Sequence, residues 1–109
     1  MGRIYRAVEI SGNGGKEIAV AIVDTGADKT VISQTLANKI KTEMYGTFYA
    51  VCASQTMLKG RYADVVITEI RSKKQTKMPV GVSDVPFDTD DIDDDGIDVI
   101  LEKNLKFNK

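Results

Sequence analysis

The sequence predicts a small all-β domain that closes with one short C-terminal helix. Segments 3–10 (RIYRAVEI) and 61–70 (RYADVVITEI) are rich in β-branched and aromatic residues, and 3–10 alternates apolar and polar side chains at the strand period of two. Turn-forming or charged clusters, 11–16 (SGNGGK) and 71–75, separate such runs at hairpin spacing.

Taken in order, 3–10 is a first strand, and the Gly/Asn cluster 11–16 turns it into a second at 17–23 (EIAVAIV). That strand is apolar enough to lie in a core, and it runs straight into Asp24-Thr25-Gly26-Ala27. A short strand is expected at 28–33. A turn or two of helix follows at 33–41, with Ser33 as its N-cap. Residues 47–57 (TFYAVCASQTM) read as a hairpin arm with Ala53, Ser54 and Gln55 near its tip. Residues 61–70 are a long strand, and 76–82 another in which Pro79 implies an edge or a bend. Segment 88–96 is an acidic loop, 97–101 (IDVIL) a last strand and 102–108 the helix.

At 109 residues the chain is one domain, 1–109, with no repeat and no linker. No apolar run nears the ~18 residues of a membrane span. The N-terminus lacks a continuous signal-peptide core, and Cys52 is the single cysteine. A cytoplasmic location, with no membrane partner, is the expectation. The net charge of −1 is unevenly spread, because seven of the eleven residues 88–98 are Asp and the rest of the chain balances at +6. The bases are scattered without an aromatic stripe, so a nucleic-acid partner is not expected.

With no His and one Cys, Ser-His and Cys-His nucleophiles and the usual zinc sites are excluded. Cys52 is read as a small hydrophobe of the arm, and Met44, Met57 and Met78 as packing residues. Tyr49 reads as a half-buried strand residue or one lying over a cleft.

Acid–base chemistry is left to carboxylates, Lys, Tyr or water, and AIVDTGA holds the parts that carboxylate chemistry needs. Hydrolysis by carboxylates uses two Asp groups about 3 Å apart that share one proton, since both cannot ionise at that distance. One activates a water, and the other protonates the scissile carbonyl. An apolar strand gives a rigid carrier, Gly26 permits a tight turn, and the Thr25 hydroxyl can lock it. An Asp-Thr-Gly tripeptide arises by chance in on the order of one in 50 chains of this length, so its position at the end of a hairpin matters more than its presence.

The stretch EIAVAIVDTGADKTVIS resembles the active-site segment of the retropepsins, the single-lobe aspartic peptidases of retroviral and cellular origin. More loosely, the arm at 47–57 falls where their flap lies, 61–70 where its returning strand lies, and DVILEKNLKF where an apolar-apolar-Gly segment leads into a helix. Roughly residues 5–107 fit the pattern. The resemblance implies a small folded β-barrel and a homodimer in which Asp24 from each of two chains forms the catalytic pair. Thr25 would bond its own copy and Gly26 shape the turn. Ala27 and Asp28, with Ala53, Ser54 and Gln55 of the flap, would contact a peptide or unfolded-protein substrate. No cofactor is implied, and mildly acidic conditions would favour activity.

This chain departs from the pattern in three places. Glu102 follows Ile100-Leu101 where the family has Gly, and a charged side chain there must point outward or reshape the turn. Ala53-Ser54-Gln55 stand where flap glycines are common. The sequence also ends at Lys109, where retroviral relatives add an interleaving strand, so other surfaces would hold the dimer. A peptide-binding dimer that does not cut is the alternative reading. Finally, Asp91, Asp93, Asp95 and Glu102 match the spacing of a calcium-binding EF-hand loop. A solvated acidic loop is the preferred interpretation of that segment, and a weak Ca²⁺ site the other.

Overall fold

The computed structural model describes residues 4–24, 27–51, 57–85, 97–102 and 105, with the side chain of Asp24 outside the description. Seven strands are seen: β1 (Ile4–Ser11), β2 (Lys16–Asp24), β3 (Val31–Ile32), β4 (Met44–Val51), β5 (Met57–Glu69), β6 (Gln75–Ser83) and β7 (Val99–Glu102). They form one sheet in the order β1-β2-β7-β3-β6-β5-β4, and an extra β1–β5 pairing joins its two sides into a closed ring. The expected all-β barrel is therefore present, with β4 paired to the outside of β5.

The hairpin β1–β2 forms where alternation and the Gly/Asn cluster place it, and Gly12 N–H closes its turn on the Gly15 carbonyl at 2.9 Å. A side chain at position 12 would meet the Ile40 carbonyl oxygen at 2.8 Å, so the turn needs glycine to pack against the one described helix. That helix, α1 (Gln34–Ile40), starts where the cap residue predicts: the Ser33 hydroxyl accepts a bond from Leu36 N–H at 3.1 Å. Its buried face, Leu36, Ala37 and Ile40, seals the barrel interior. The ring closure is pinned at the end of β5, where Glu69 takes Arg6 Nη1 at 2.6 Å and the Ser72 hydroxyl at 2.5 Å. The Ser72 bond above all, with burial opposing it and Arg6 and Lys74 adding to it, holds the Glu69 carboxyl below its ordinary value.

Two boundaries differ from expectation, while Pro79 stands at the edge it implied. The strand expected at 28–33 is limited to Val31 and Ile32, because only these two residues find partners, in β6 on one side and β7 on the other. Pro79 lies within β6, yet β3 reaches only Gly81 and Val82, so β6 is locally an edge at the proline. Glu102 ends β7 by pairing with Asp24 instead of opening a helix, and Leu105 N–H makes a single turn bond to its carbonyl at 3.2 Å. The remainder of 102–108 lies outside the described residues, as do Cys52 and the acidic loop 88–96.

The central strands are buried on both faces, which explains their near-continuous apolar sequence. Successive side chains alternate between two clusters. Ala21, Ile32, Val99 and Leu101 join α1 inside the barrel. Ile22, Val31 and Ile100 join Ala27, Phe48, Ala50, Leu58 and Ile97 beneath the β4 arm. Met44 and Met78 pack against the first cluster, whereas Met57 is 61% exposed and serves no core.

Candidate active site

The topology builds a loop over the end of one strand. β2 runs parallel to β7 on one side, and β3 runs antiparallel to it on the other. The chain leaving Asp24 must therefore cross above the C-terminal end of β7 before it returns as β3. Asp24 is the last residue of β2, and its register partner on β7 is Glu102.

The far side of this loop is tightly held. Thr30 is buried, and its hydroxyl donates to Glu102 Oε1 at 3.0 Å while accepting Glu102 N–H at 3.3 Å. Its carbonyl accepts Gly81 N–H of β6 at 3.0 Å. Three residues on, Ser33 N–H donates to the Asp98 carbonyl and its hydroxyl to Asp98 Oδ1 at 2.8 Å. The end of the loop at Thr30 is thus bonded to both β7 and β6.

The predicted site residues divide accordingly. Asp24 is placed at the strand end by its backbone pairing. Ala27 is 8% exposed and packs in the cluster beneath the arm, and Asp28 is exposed beside it. Thr25, Gly26, Ala53, Ser54 and Gln55 lie outside the described residues. So do Asp91, Asp93 and Asp95; of that quartet only Glu102 is described, with its carboxylate engaged by Thr30.

Two contacts were not read from the sequence. Lys29 Nζ donates to the Tyr49 carbonyl of β4 at 2.9 Å and lies 5.6 Å from the centre of the Phe48 ring. This lysine ties the segment after Asp24 to the arm, and no local pattern signals a contact made through a backbone carbonyl. Tyr49 itself is 49% exposed. The second is the Thr30–Glu102 pair described above. Replacing Lys29 with Met removes the bond and keeps the stem. Amide exchange in β4 around Tyr49 should then quicken about fivefold, the effect of one hydrogen bond of about 1 kcal/mol, and the melting temperature should fall by about 4–8 °C. Unaltered exchange would show that the tether does not restrain the arm.

An open groove of about 580 Å³ lies elsewhere, lined by Asn13, Glu43, Tyr45, Asp64 and Lys77 among others. It includes none of the site residues above. In it the Tyr45 hydroxyl donates to Asp64 Oδ1 at 2.6 Å, a bond that holds the phenol above its ordinary pKa.

Comparison with known proteins gives one match. A family model described as aspartyl protease covers residues 7–103, which takes in β2 to β7, the crossing loop and β1 from Ala7 onward. No curated protein and no solved structure matches the chain.

Proposed function

The chain belongs to the aspartyl protease family, and from that premise we propose that it is a homodimeric endopeptidase whose water nucleophile is activated by Asp24 from each of two subunits. The observation that carries this reading is the placement of Asp24 at the end of β2, on a loop bonded to β6 and β7, within the family match. One chain brings one such aspartate, so a two-fold axis beside it is needed to make the pair. This reading assigns the turn to Thr25 and Gly26, and contacts to an extended peptide substrate to Ala27, Asp28, Ala53, Ser54 and Gln55.

In the reaction one ionised carboxylate accepts a proton from water as the oxygen attacks the scissile carbonyl carbon. The protonated carboxyl donates to the carbonyl oxygen, giving a neutral gem-diol. Collapse breaks the C–N bond as the protonated carboxyl delivers a proton to the leaving nitrogen and the ionised carboxylate takes one from a gem-diol hydroxyl, leaving a carboxylic acid and an amine. The pair ends with one shared proton, as it began. A cytoplasmic setting, which the lone Cys52 favours, belongs to the same proposal.

A second reading follows from Glu102. A carboxylate where the family has glycine favours a dimer that holds peptides without cutting them. Incubating the protein with an unfolded, fluorophore-labelled casein at pH 4–6, alongside sedimentation at the same concentrations, separates the two. Cleavage whose specific activity rises with enzyme concentration, together with a dimer, supports the peptidase. A dimer with no cleavage supports the binding module, and a strict monomer at high concentration removes both.

A further inference from the structure

We propose that Lys29 is a specificity-determining residue, which selects peptides that carry an acidic side chain at one fixed position along the bound segment. The inference rests on the peptide cleft of the reading above and names its substrate class. In that reading the segment after Asp24 and the β4 arm are the two walls of the cleft, and Lys29 is where the two are tied together. On the loop side it stands between Asp28 and the buried Thr30, whose bonds to β7 and β6 fix the backbone. On the arm side its Nζ donates to the Tyr49 carbonyl at 2.9 Å and lies 5.6 Å from the centre of the Phe48 ring. Phe48 and Ala50 of the same strand pack with Ala27, so loop and arm stay close along this stretch. A peptide that touches both walls passes the ammonium group.

This ammonium has no counter-charge among the described residues. The one bond it makes is to a neutral carbonyl, which leaves N–H donors for a ligand. The carboxylates that neighbouring elements bring to this corner, among the described residues, are Asp28, Asp98 and Glu102. Asp98 accepts from Ser33 and Glu102 from Thr30, and none of the three forms an ion pair with Lys29. The lysine side chain is half-buried, and a carbonyl dipole and an aromatic face hold the cation without neutralising it. A positive charge fixed in place and partly out of water attracts a carboxylate and repels a lysine or arginine. Because the stem is already ordered, pairing loses less side-chain entropy than it does for a free surface lysine.

Cut sites mapped by mass spectrometry in a mixed peptide library test this. For the wild type at pH 6, one position relative to the cut bond should favour Asp and Glu over Asn and Gln about fivefold, the factor for one ion pair. At pH 4 the preference should shrink, because substrate carboxylates then take up protons. Lys29→Met should remove the acidic preference and leave the residues favoured at other positions as they were; Lys29→Gln serves if the methionine variant folds poorly. Lys29→Glu should turn the preference toward Lys and Arg. A lysine that only tethers the arm would change cleavage of all peptides by one factor, so unchanged cut-site preferences in Lys29→Met would overturn the proposal, as would a wild type with no acidic position. Absence of cleavage is a different result, because it removes the peptidase reading alone. The Kd values of fluorescent Glu and Gln peptides, read by anisotropy, then give the same ratio, and equal values for the two overturn the role of Lys29.

Discussion

On the proposed homodimeric reading, Asp24→Asn should abolish cleavage while leaving the fold and the dimer intact. Asparagine has the shape of aspartate but can neither accept the proton of water nor donate one to the carbonyl. In a two-fold dimer, one substitution replaces both members of the pair. Loss of a shared acid–base device of this kind reduces kcat by about three orders of magnitude or more. Melting temperature and sedimentation should be little changed, since Asp24 ends β2 through backbone pairing that asparagine preserves. A mixing experiment adds a sharper test of shared catalysis. If subunits exchange freely at equal amounts, about a quarter of the dimers contain two wild-type chains. Added variant should then depress the activity of a fixed amount of wild type to about half. Activity unaffected by excess variant would mean that the catalytic unit is not a symmetric pair.

The local features of this fold were legible because short-range chemistry determines them. Alternation set β1, the Gly/Asn cluster set its turn, and Ser33 announced α1 through a cap three residues from Leu36. What the sequence hid is long-range. The closure of β1 on β5 joins residues such as Val8 and Glu69, and no local pattern records it. β3 is short because its partners reach only two residues, a fact held in β6 and β7. Glu102 looked like the first residue of a helix and instead ends a strand, because its parallel partner Asp24 lies far back in the chain. The site shows the same division. Asp24 could be named from its tripeptide and apolar strand, whereas the Thr30–Glu102 bond and the Lys29 tether exist only once separate strands meet.

Gly81→Val should be strongly damaging although remote from the Asp24 turn, lowering stability by about 2–4 kcal/mol. Gly81 sits in β6 between β3 and β5, buried on both faces. A β-carbon built there would stand 2.1 Å from Cζ of Phe48, far inside contact distance. Phe48 is fully buried, and Tyr62 packs edge-on against its ring at 5.4 Å. The ring can yield only by leaving the cluster that also contains Ala27, Val31 and Ile100. A loss of that size lowers the melting temperature of a domain this small by about 10–20 °C. Phe48→Ala should cost about 3–5 kcal/mol by itself through the cavity it leaves. The double variant should cost clearly less than the two together, because the added methyl groups occupy the space that the ring vacates. Strict additivity would show that Gly81 is constrained by something other than Phe48. Because Phe48 also lies beneath Lys29 and supports Ala27, a soluble Gly81→Val protein should lose cleavage before it loses its fold. Closeness of the β4 arm to the active-site loop, and not the catalytic aspartate alone, would then limit activity.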